Sequence, residues 1–279
     1  MNIHTLNFSG PALVMAIINC NDDSFYAPSR AKGEAAVEKA LQAVKDGADI
    51  IDFGAESTRP GAEYLSLEEE QERLIPVISG FRRRCSTAVS VDTRKASLAR
   101  MALEQGADII NDISSMEDDP AMAEVCAQSG AYIVLMHKQG VPRTMQQAPS
   151  YKDIKSDVVK YLQDAASAAV RAGIAAERII IDPGIGFGKT AADNLSLLGA
   201  MAELSSIGYP VLMGLSRKSF IGEITGRPVE QRLAGTVSAG TAVLLAGAKI
   251  IRVHDVSAAV DTVRIVHAFR TGQPALNTF

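Results

Sequence analysis

Polar or ionisable side chains follow every one of eight short apolar runs in the chain. Burying so many such groups without partners would be costly, so a ligand-binding mouth explains them better than eight separate structural roles. In chain order they are Asn19; Asp52 with Glu56, Ser57, Thr58 and Arg59; Asp92; Asn111 and Asp112; His137; Asp182; Ser216, Arg217 and Lys218; and Arg252, His254 and Asp255.

One subset of these residues suits a polyanion. Arg59, Arg252 and His254 are cations or donors, and an arginine fork matches phosphate oxygens. The amide oxygen of Asn19 is a fair ligand for Mg²⁺ that is held mostly by water and phosphate. The subset therefore predicts a site for a phosphorylated compound with Mg²⁺.

A second subset suits a flat heterocycle with an amino-pyrimidinone edge. It consists of two carboxylates, an amide and one cation: Asp92, Asn111, Asp182 and Lys218. A carboxylate accepts from adjacent N–H groups, and a lysine donates to a carbonyl or ring nitrogen. A mutual Asp–Lys salt bridge is the alternative interpretation of this subset.

The apolar runs predict a (β/α)8 TIM barrel. They are nearly continuous, which is typical of parallel strands buried on both faces, and helical segments separate them. Gly47, Gly106, Gly130, Gly173, Gly208 and Gly247 each end a helical pattern just before a run. An open doubly wound sheet is the alternative, but the first turn, residues 19–23, lacks its usual glycines. No linker interrupts the series, so we expect one domain over residues 1–279. The predicted strands cover residues 13–18, 50–53, 88–91, 109–111, 132–135, 179–181, 210–213 and 250–253.

The composition excludes several classes of protein. With 47% hydrophobic and 22% charged residues, the chain is not of the disordered type. The net charge of −4 gives no basic excess for binding nucleic acid. No apolar run is long enough to span a membrane, and the first ten residues do not look like a signal peptide. Three widely spaced cysteines fit neither a disulfide framework nor a zinc site. We therefore expect a cytoplasmic protein.

Residues 182–190 look like a phosphate-binding P-loop but fail its test. The pattern Gly-x-x-x-x-Gly-Lys-Thr requires glycine at position 183, which is Pro183. Lys189 likewise breaks a dinucleotide fingerprint. We instead expect the glycines here to let the backbone approach a flat ligand, with Phe187 beside it.

The whole chain resembles the bacterial dihydropteroate synthases, the folate-pathway enzymes that sulfonamides inhibit. The matching motifs occur in order at the predicted strand ends, over about 260 residues. They are Asp52 to Gly61 (DFGAESTRPG), Ser90 to Thr93 (SVDT), Ile110 to Ile113 (INDI), Leu135 to His137 with Gln139-Gly140, Asp182 to Lys189 (DPGIGFGK), Ser216 to Ser219 (SRKS), and Arg252 to Asp255 (RVHD).

The resemblance implies three ligand subsites and a set of catalytic residues. The catalytic residues would be Asp92, Asp182, Lys218, Arg252 and His254. The pterin site would be formed by Asp92, Asn111, Asp182 and Lys218, lined by Met136, Phe187 and Gly214. The diphosphate site would use Asn19, Thr58, Arg59, Arg252 and His254, with Asn19 on Mg²⁺. The p-aminobenzoate site would include Phe25, Thr58, Pro60, Arg217 and Ser219.

The implied reaction joins 6-hydroxymethyl-7,8-dihydropterin diphosphate to p-aminobenzoate and expels diphosphate. A homodimer through the last two helices is also implied. The first loop departs from the family, which usually has Thr-Pro where this chain has Asn21-Asp22. We expect activity to survive, because Asn19, Asp23, Ser24 and Phe25 are kept. The alternatives are a methyltransferase of the same superfamily that serves a corrinoid protein, a non-catalytic pterin-binding paralogue, and a sugar-phosphate barrel enzyme.

Overall fold

The computed structural model describes residues 3–20, 29–56, 65–140, 145 and 149–273. Eight parallel strands alternate with helices in this part of the chain, as the apolar runs predict. The strands are β1 (Leu13–Asn19), β2 (Ile50–Gly54), β3 (Ala88–Asp92), β4 (Ile109–Asp112), β5 (Tyr132–Met136), β6 (Ile179–Asp182), β7 (Leu212–Gly214) and β8 (Ile250–Val253).

The helices cover the outside of the sheet. One follows each of the first five strands and the last one, and two follow each of β6 and β7. They are α1 (Ser29–Lys45), α2 (Leu67–Arg82), α3 (Ala96–Glu104), α4 (Ala121–Ser129), α5 (Ile154–Arg171), α6 (Ala191–Leu198), α7 (Met201–Ser205), α8 (Ser219–Thr225), α9 (Leu233–Leu245) and α10 (Val256–Thr271). None of these helices is long and apolar enough to cross a membrane.

The sheet curls into a nearly closed TIM barrel. The hydrogen-bonded order of the strands is β6-β5-β4-β3-β2-β1-β8-β7, and every pair is parallel. An isolated bridge between Ile181 and Val211 joins β6 to the start of β7 and closes the ring. The predicted seventh strand began at Pro210, whereas the regular ladder begins at Leu212. Pro210 has no N–H, but its carbonyl accepts from the backbone N–H of Ile181 at 3.0 Å.

Two apolar layers support this barrel. The larger lies between strands and helices and includes Phe53, Phe81 and Leu98, all fully buried. The smaller fills the barrel with Met15, Ile50, Ala88, Ile109, Tyr132, Val134, Ile180, Leu212 and Ile250. Ile3, Leu6 and Phe8 pack beneath it and cover the amino ends of the strands. The interior of the barrel is therefore a packed core and not a pore.

Helix ends follow the sequence signals closely. The six glycines predicted to stop helices all have positive φ, between 71° and 112°. Ser66 caps α2 by accepting from the backbone N–H of Glu69 at 3.1 Å, and the Glu69 carboxylate accepts from Ser66 N–H at 2.8 Å. This reciprocal capping box fixes the start of the helix that follows β2.

Candidate active site

The carboxyl ends of the strands, with the loops that follow them, form the mouth of the barrel. Parallel pairing places equivalent positions side by side there. Asp92 pairs with Asn111, Met136 with Asp182, and Gly214 with Arg252. The strand register thus brings six of the predicted residues to one level of the mouth.

A charge network crosses this mouth, in which Asp52 is buried while Asp92 and Arg252 are half-buried. The Arg252 guanidinium donates from Nε to Asp52 Oδ2 at 2.6 Å and from a terminal nitrogen to Asp92 Oδ2 at 2.9 Å. The side-chain amide of Asn111 donates to the same Asp52 oxygen at 3.3 Å. One arginine from β8 therefore holds two carboxylates that lie on β2 and β3.

The electrostatics of this network are dominated by burial. Burial raises the pKa of Asp92 to about 7; Arg252 opposes the rise, and the neighbouring Asp52 charge adds to it. The two carboxylates in turn raise the pKa of Arg252 against the effect of burial. Oδ1 of Asp52 is buried and lacks a hydrogen-bond partner among the residues that the structure describes. The network therefore holds concentrated charge that is only partly compensated, as expected of a functional site.

Asp182 ends β6 and Lys218 lies just after β7, and the two side chains interact electrostatically. Burial raises the pKa of Asp182, and Lys218 opposes this; burial lowers the pKa of Lys218 to about 8, and Asp182 opposes that. Within the described part of the chain Lys218 forms no ion pair with Asp182, so the salt-bridge alternative is not what is observed. Its ammonium instead donates to the Ile185 carbonyl and lies 4.7 Å from the centroid of the Phe187 ring.

The loop after β6 (residues 183–188, here the glycine loop) is packed against the protein itself. A Cβ on Gly184 would collide with the His137 carbonyl oxygen, and one on Gly188 with the Gln139 carbonyl oxygen. Gly186 faces Lys218. Close approach to a flat ligand was the expected reason for these glycines, but two of the three are required by neighbouring backbone.

The structure diverts several polar strand-end residues to other partners. Arg217 has φ of 54° and forms a bidentate pair with Asp255, at 2.9 and 2.8 Å. It also donates to the carbonyls of Val229 and Glu230, so four N–H donors act within the protein. Asp112 accepts from the backbone N–H groups of Ser114 and Met116 and shapes the turn after β4.

The remaining predicted residues divide into two groups. Asn19 lies exposed at the end of β1, Ser219 is exposed at the start of α8, and His254 is exposed with Nδ1 2.9 Å from the Ser216 hydroxyl. Phe25, Thr58, Arg59, Pro60 and the Asn21-Asp22 departure lie outside the described residues.

Sequence reasoning assigned no role to two buried residues near the site. Asp52 stood among the strand-end polar groups only, yet it anchors Arg252; the signal was a lone acid inside the apolar run from Ile50 to Phe53. Lys189 ends the motif DPGIGFGK without a predicted role, yet its side chain is buried behind the glycine loop.

Comparison with known proteins identifies the class. Residues 15–254 match the family of pterin-binding enzymes. The chain is 42% identical to the dihydropteroate synthase of Escherichia coli K12, covering 95% of this chain and 93% of that protein. The crystal structure of Yersinia pestis dihydropteroate synthase with a sulfonamide drug has a TM-score of 0.90 at 40% identity, covering 96% of this chain and 97% of the other. That of Xanthomonas albilineans dihydropteroate synthase with 4-aminobenzoic acid has a TM-score of 0.88 at 42% identity, covering 95% of each.

The chain belongs to the family of pterin-binding enzymes. Within it, these relatives are dihydropteroate synthases, which are transferases and, as the Yersinia complex illustrates, sulfonamide targets. The family resemblance, the barrel fold and the prediction of an enzyme are thereby confirmed.

Proposed function

We propose that this chain is a transferase that condenses 6-hydroxymethyl-7,8-dihydropterin diphosphate with p-aminobenzoate, giving 7,8-dihydropteroate and diphosphate. One observation carries the proposal beyond family membership. Two carboxylates, the half-buried Asp92 and the buried Asp182, stand at the same mouth as Asn111 and Lys218, with Arg252 among them. Such a set is suited to reading both edges of a pterin ring.

The pterin ring would lie among Asp92, Asn111, Asp182 and Lys218, with Met136, Gly214 and Phe187 around it. Asp182 already accepts from the Gly184 N–H through Oδ1 at 2.7 Å, which fixes its carboxylate plane. Its other oxygen would accept from the ring's amino group, while Lys218 would donate to the ring carbonyl or a ring nitrogen. Met136 is 3% exposed and supplies an apolar wall.

Bond cleavage would be driven by charge stabilisation. As the carbon–oxygen bond to diphosphate breaks, positive charge develops on the pterin methylene and spreads into the ring, where ionised Asp92 stabilises it. The neutral amine of p-aminobenzoate then attacks that carbon and loses a proton. An aniline is unprotonated at neutral pH, so no strong general base is required.

The diphosphate would lie toward Asn19, Arg252 and His254, together with Thr58 and Arg59 from outside the described residues. The described residues contain no cluster of three acidic, histidine or cysteine ligands, and an exposed Asn19 oxygen suits Mg²⁺ held mainly by water and diphosphate. When bound there, Mg²⁺ would neutralise charge on the leaving diphosphate. Arg252 and His254 would orient the same oxygens.

The p-aminobenzoate site would lie beside Ser219 and Arg217, with Phe25 and Pro60. Ser219 is exposed at the mouth and its hydroxyl suits a carboxylate. Because Arg217 is engaged by Asp255, we propose that it acts chiefly by fixing the backbone between Ser216 and Ser219.

We further propose that the chain acts as one domain, in the cytoplasm and as a homodimer. Cys20, Cys85 and Cys126 are free thiols, as suits a reducing compartment. Large apolar side chains are exposed on the last two helices, at Leu245 on α9 and at Ile265 and Phe269 on α10. Phe269→Ser with Ile265→Ser should shift the sedimentation coefficient to that of a monomer; an unchanged coefficient would disprove this dimer face.

The decisive assay measures diphosphate release with Mg²⁺ and dihydropterin diphosphate, with and without p-aminobenzoate. We expect release that depends on p-aminobenzoate and is lost in Lys218→Ala. Pterin binding without p-aminobenzoate-dependent release would refute the proposal and favour the paralogue or, if methyltetrahydrofolate is a methyl donor, the methyltransferase.

A further inference from the structure

Lys189 is a buried cation that the proposed reaction does not use. Its side chain is only 3% exposed and lies between the end of β5 and the glycine loop. The ammonium nitrogen Nζ is 2.9 Å from His137 Nδ1, 3.3 Å from the His137 carbonyl oxygen and 3.0 Å from the Phe187 carbonyl oxygen. Lys189 thus ties two neighbouring strand-end segments together.

These three contacts use the full hydrogen-bonding capacity of the lysine. An ammonium has three N–H donors, and three acceptors surround it. Burial lowers the pKa of Lys189 to about 7, and burial also lowers the pKa of His137 to about 3, so the imidazole is neutral. If Lys189 loses a proton, its lone pair can accept from Nδ1–H while two N–H groups still reach the carbonyls. Lys189 therefore keeps its three hydrogen bonds whether it is protonated or neutral, and all of its N–H groups are engaged within the protein.

The far side of the glycine loop holds the pterin-facing groups. Phe187 presents its carbonyl to Lys189 and its ring to Lys218, and the Ile185 carbonyl accepts from Lys218. The Tyr151 hydroxyl donates to the Gly188 carbonyl at 2.6 Å, a second tie on the same side as His137. A continuous chain of contacts therefore runs from His137 through Lys189 and Phe187 to Lys218.

We propose that Lys189 is a positioning residue for pterin recognition, which holds the glycine loop so that Phe187 and Lys218 stand ready at the ring. The inference rests on the proposed function and names a further determinant of its pterin subsite. Because the contacts of Lys189 belong to β5 and the glycine loop, its loss should act on pterin affinity more than on the chemical step or on p-aminobenzoate.

The test compares Lys189→Met with Lys138→Met. Lys138 is a matched control: its side chain is 7% exposed and sits next to His137, but it pairs with Asp118 at 3.1 Å. Calorimetry with 6-hydroxymethyl-7,8-dihydropterin, which lacks the diphosphate, isolates the pterin subsite. We expect Lys189→Met to raise the Kd about tenfold or more, as a displaced recognition group does, and Lys138→Met to leave it within about twofold.

Comparing kcat and the KM for p-aminobenzoate with the pterin Kd distinguishes a positioning role of Lys189 from a general loss of active-site structure. At saturating dihydropterin diphosphate, we expect Lys189→Met to keep kcat within about threefold and the KM for p-aminobenzoate within about twofold. An unchanged pterin Kd in folded Lys189→Met, or a fall in kcat without a change in Kd, would overturn the inference. If wild type shows no p-aminobenzoate-dependent release while Lys189→Met still loses pterin affinity, the proposed function fails and the positioning role stands.

A second variant guards against loss of folding. Tyr151→Phe removes one hydrogen bond to the glycine loop and leaves Lys189 in place. Should Lys189→Met not fold, Tyr151→Phe is expected to raise the pterin Kd about threefold, with kcat and the p-aminobenzoate KM unchanged. Tyr151→Phe with wild-type affinity would count against the idea that ties to this loop set pterin recognition.

Discussion

Asp108 at the amino end of the barrel and the acids of the charge network at the carboxyl end differ in how fully their oxygens are hydrogen-bonded. At the amino end, Asp108 is 2% exposed and both of its oxygens are used. Oδ1 accepts from the His4 N–H at 2.9 Å, and Oδ2 accepts from the Val89 N–H at 2.9 Å and from the Arg82 guanidinium. This acid is fully satisfied by the protein itself.

At the carboxyl end, Asp112 is satisfied in the same way, whereas the acids of the charge network are incompletely satisfied. Asp52 is fully buried, yet one of its oxygens has no partner in the described residues, and Asp92 shares its arginine with Asp52. Removing one member of a satisfied pair costs stability, whereas groups left incompletely partnered can bind a ligand. We therefore expect Asp108 to stabilise the amino end of the barrel, and the charge network at the carboxyl end to contribute to ligand binding.

The largest expected effect comes from Arg252→Met at the carboxyl end. The change leaves Asp52 and Asp92 without their cation and removes a donor that we propose faces the diphosphate. We expect kcat/KM to fall about a thousandfold and the free energy of unfolding to fall by about 3 kcal/mol. Steady-state kinetics and urea unfolding measure the two quantities.

The sign of its pH dependence provides a control for Arg252→Met. Arg252 opposes the rise that burial causes in the pKa of Asp92, so without the arginine that pKa rises further in the folded state. The loss of stability should therefore be larger at pH 8 than at pH 5.5. Equal losses at both pH values would mean that charge repulsion between the acids is not the cause.

Asp108→Asn probes the opposite end. The Arg82 guanidinium loses its charged partner there, and we expect a loss of about 3 kcal/mol in the free energy of unfolding. Because this carboxylate lies far from the mouth, kcat and both KM values of the folded variant should stay within about twofold of wild type. A large change in KM without loss of stability would contradict the division of roles between the ends.

Asp52→Asn tests whether the charge of Asp52 affects the pH dependence of kcat/KM through Asp92. Burial raises the pKa of Asp92 to about 7, and the Asp52 charge adds to that rise. Asp92 must be ionised to stabilise a cation, so kcat/KM of the wild type should fall as the pH drops below about 7. Removing the Asp52 charge should move this acid limb to lower pH by about half a unit. A limb that stays in place, or moves to higher pH, would show that Asp92 does not set it.

The smallest expected effect is that of Tyr132→Phe at the amino end. The Tyr132 hydroxyl accepts from the Leu6 N–H at 3.1 Å, and its ring meets Phe8 edge-on at 6.4 Å between centroids. Phe keeps the ring contact and loses the hydrogen bond, so thermal denaturation should show a loss of about 1 kcal/mol. Activity at 25 °C should not change; a loss of activity would mean that the amino end communicates with the mouth.

Much of the fold was accessible from the sequence because its signals are local. An apolar run that follows a glycine marks the start of a strand. Gly47 and Gly247 end helices because glycine, which lacks a Cβ, adopts a positive φ without strain. The start of β7 was misplaced because Val211 is apolar and β-branched. Whether such a residue continues a ladder depends on its neighbour in space, and here the contact with Ile181 is an isolated bridge.

The sequence predicts which residues belong to the candidate site, but it does not predict which of them form hydrogen bonds or ion pairs with one another. The strand ends predict a shared site for Asp92, Asn111, Asp182 and Lys218, because parallel strands bring their carboxyl ends together at one mouth. The partners of each charge are set by side-chain directions across the barrel, and a linear pattern does not contain them. Hence the pairing of Arg217 with Asp255 and the anchoring of Arg252 by Asp52 emerged only in three dimensions.

The barrel closes between β6 and β7 through the isolated bridge of Ile181 and Val211, whereas every other pair of neighbouring strands forms a regular ladder. Asp182 ends the strand on one side of that bridge, and Lys218 follows the strand on the other side. A heterocycle that binds both residues, as proposed above, would link the two sides of this weakest point of the barrel wall. Ligand binding would then make the barrel more rigid at this place, so amide exchange along β7 should slow when the site fills.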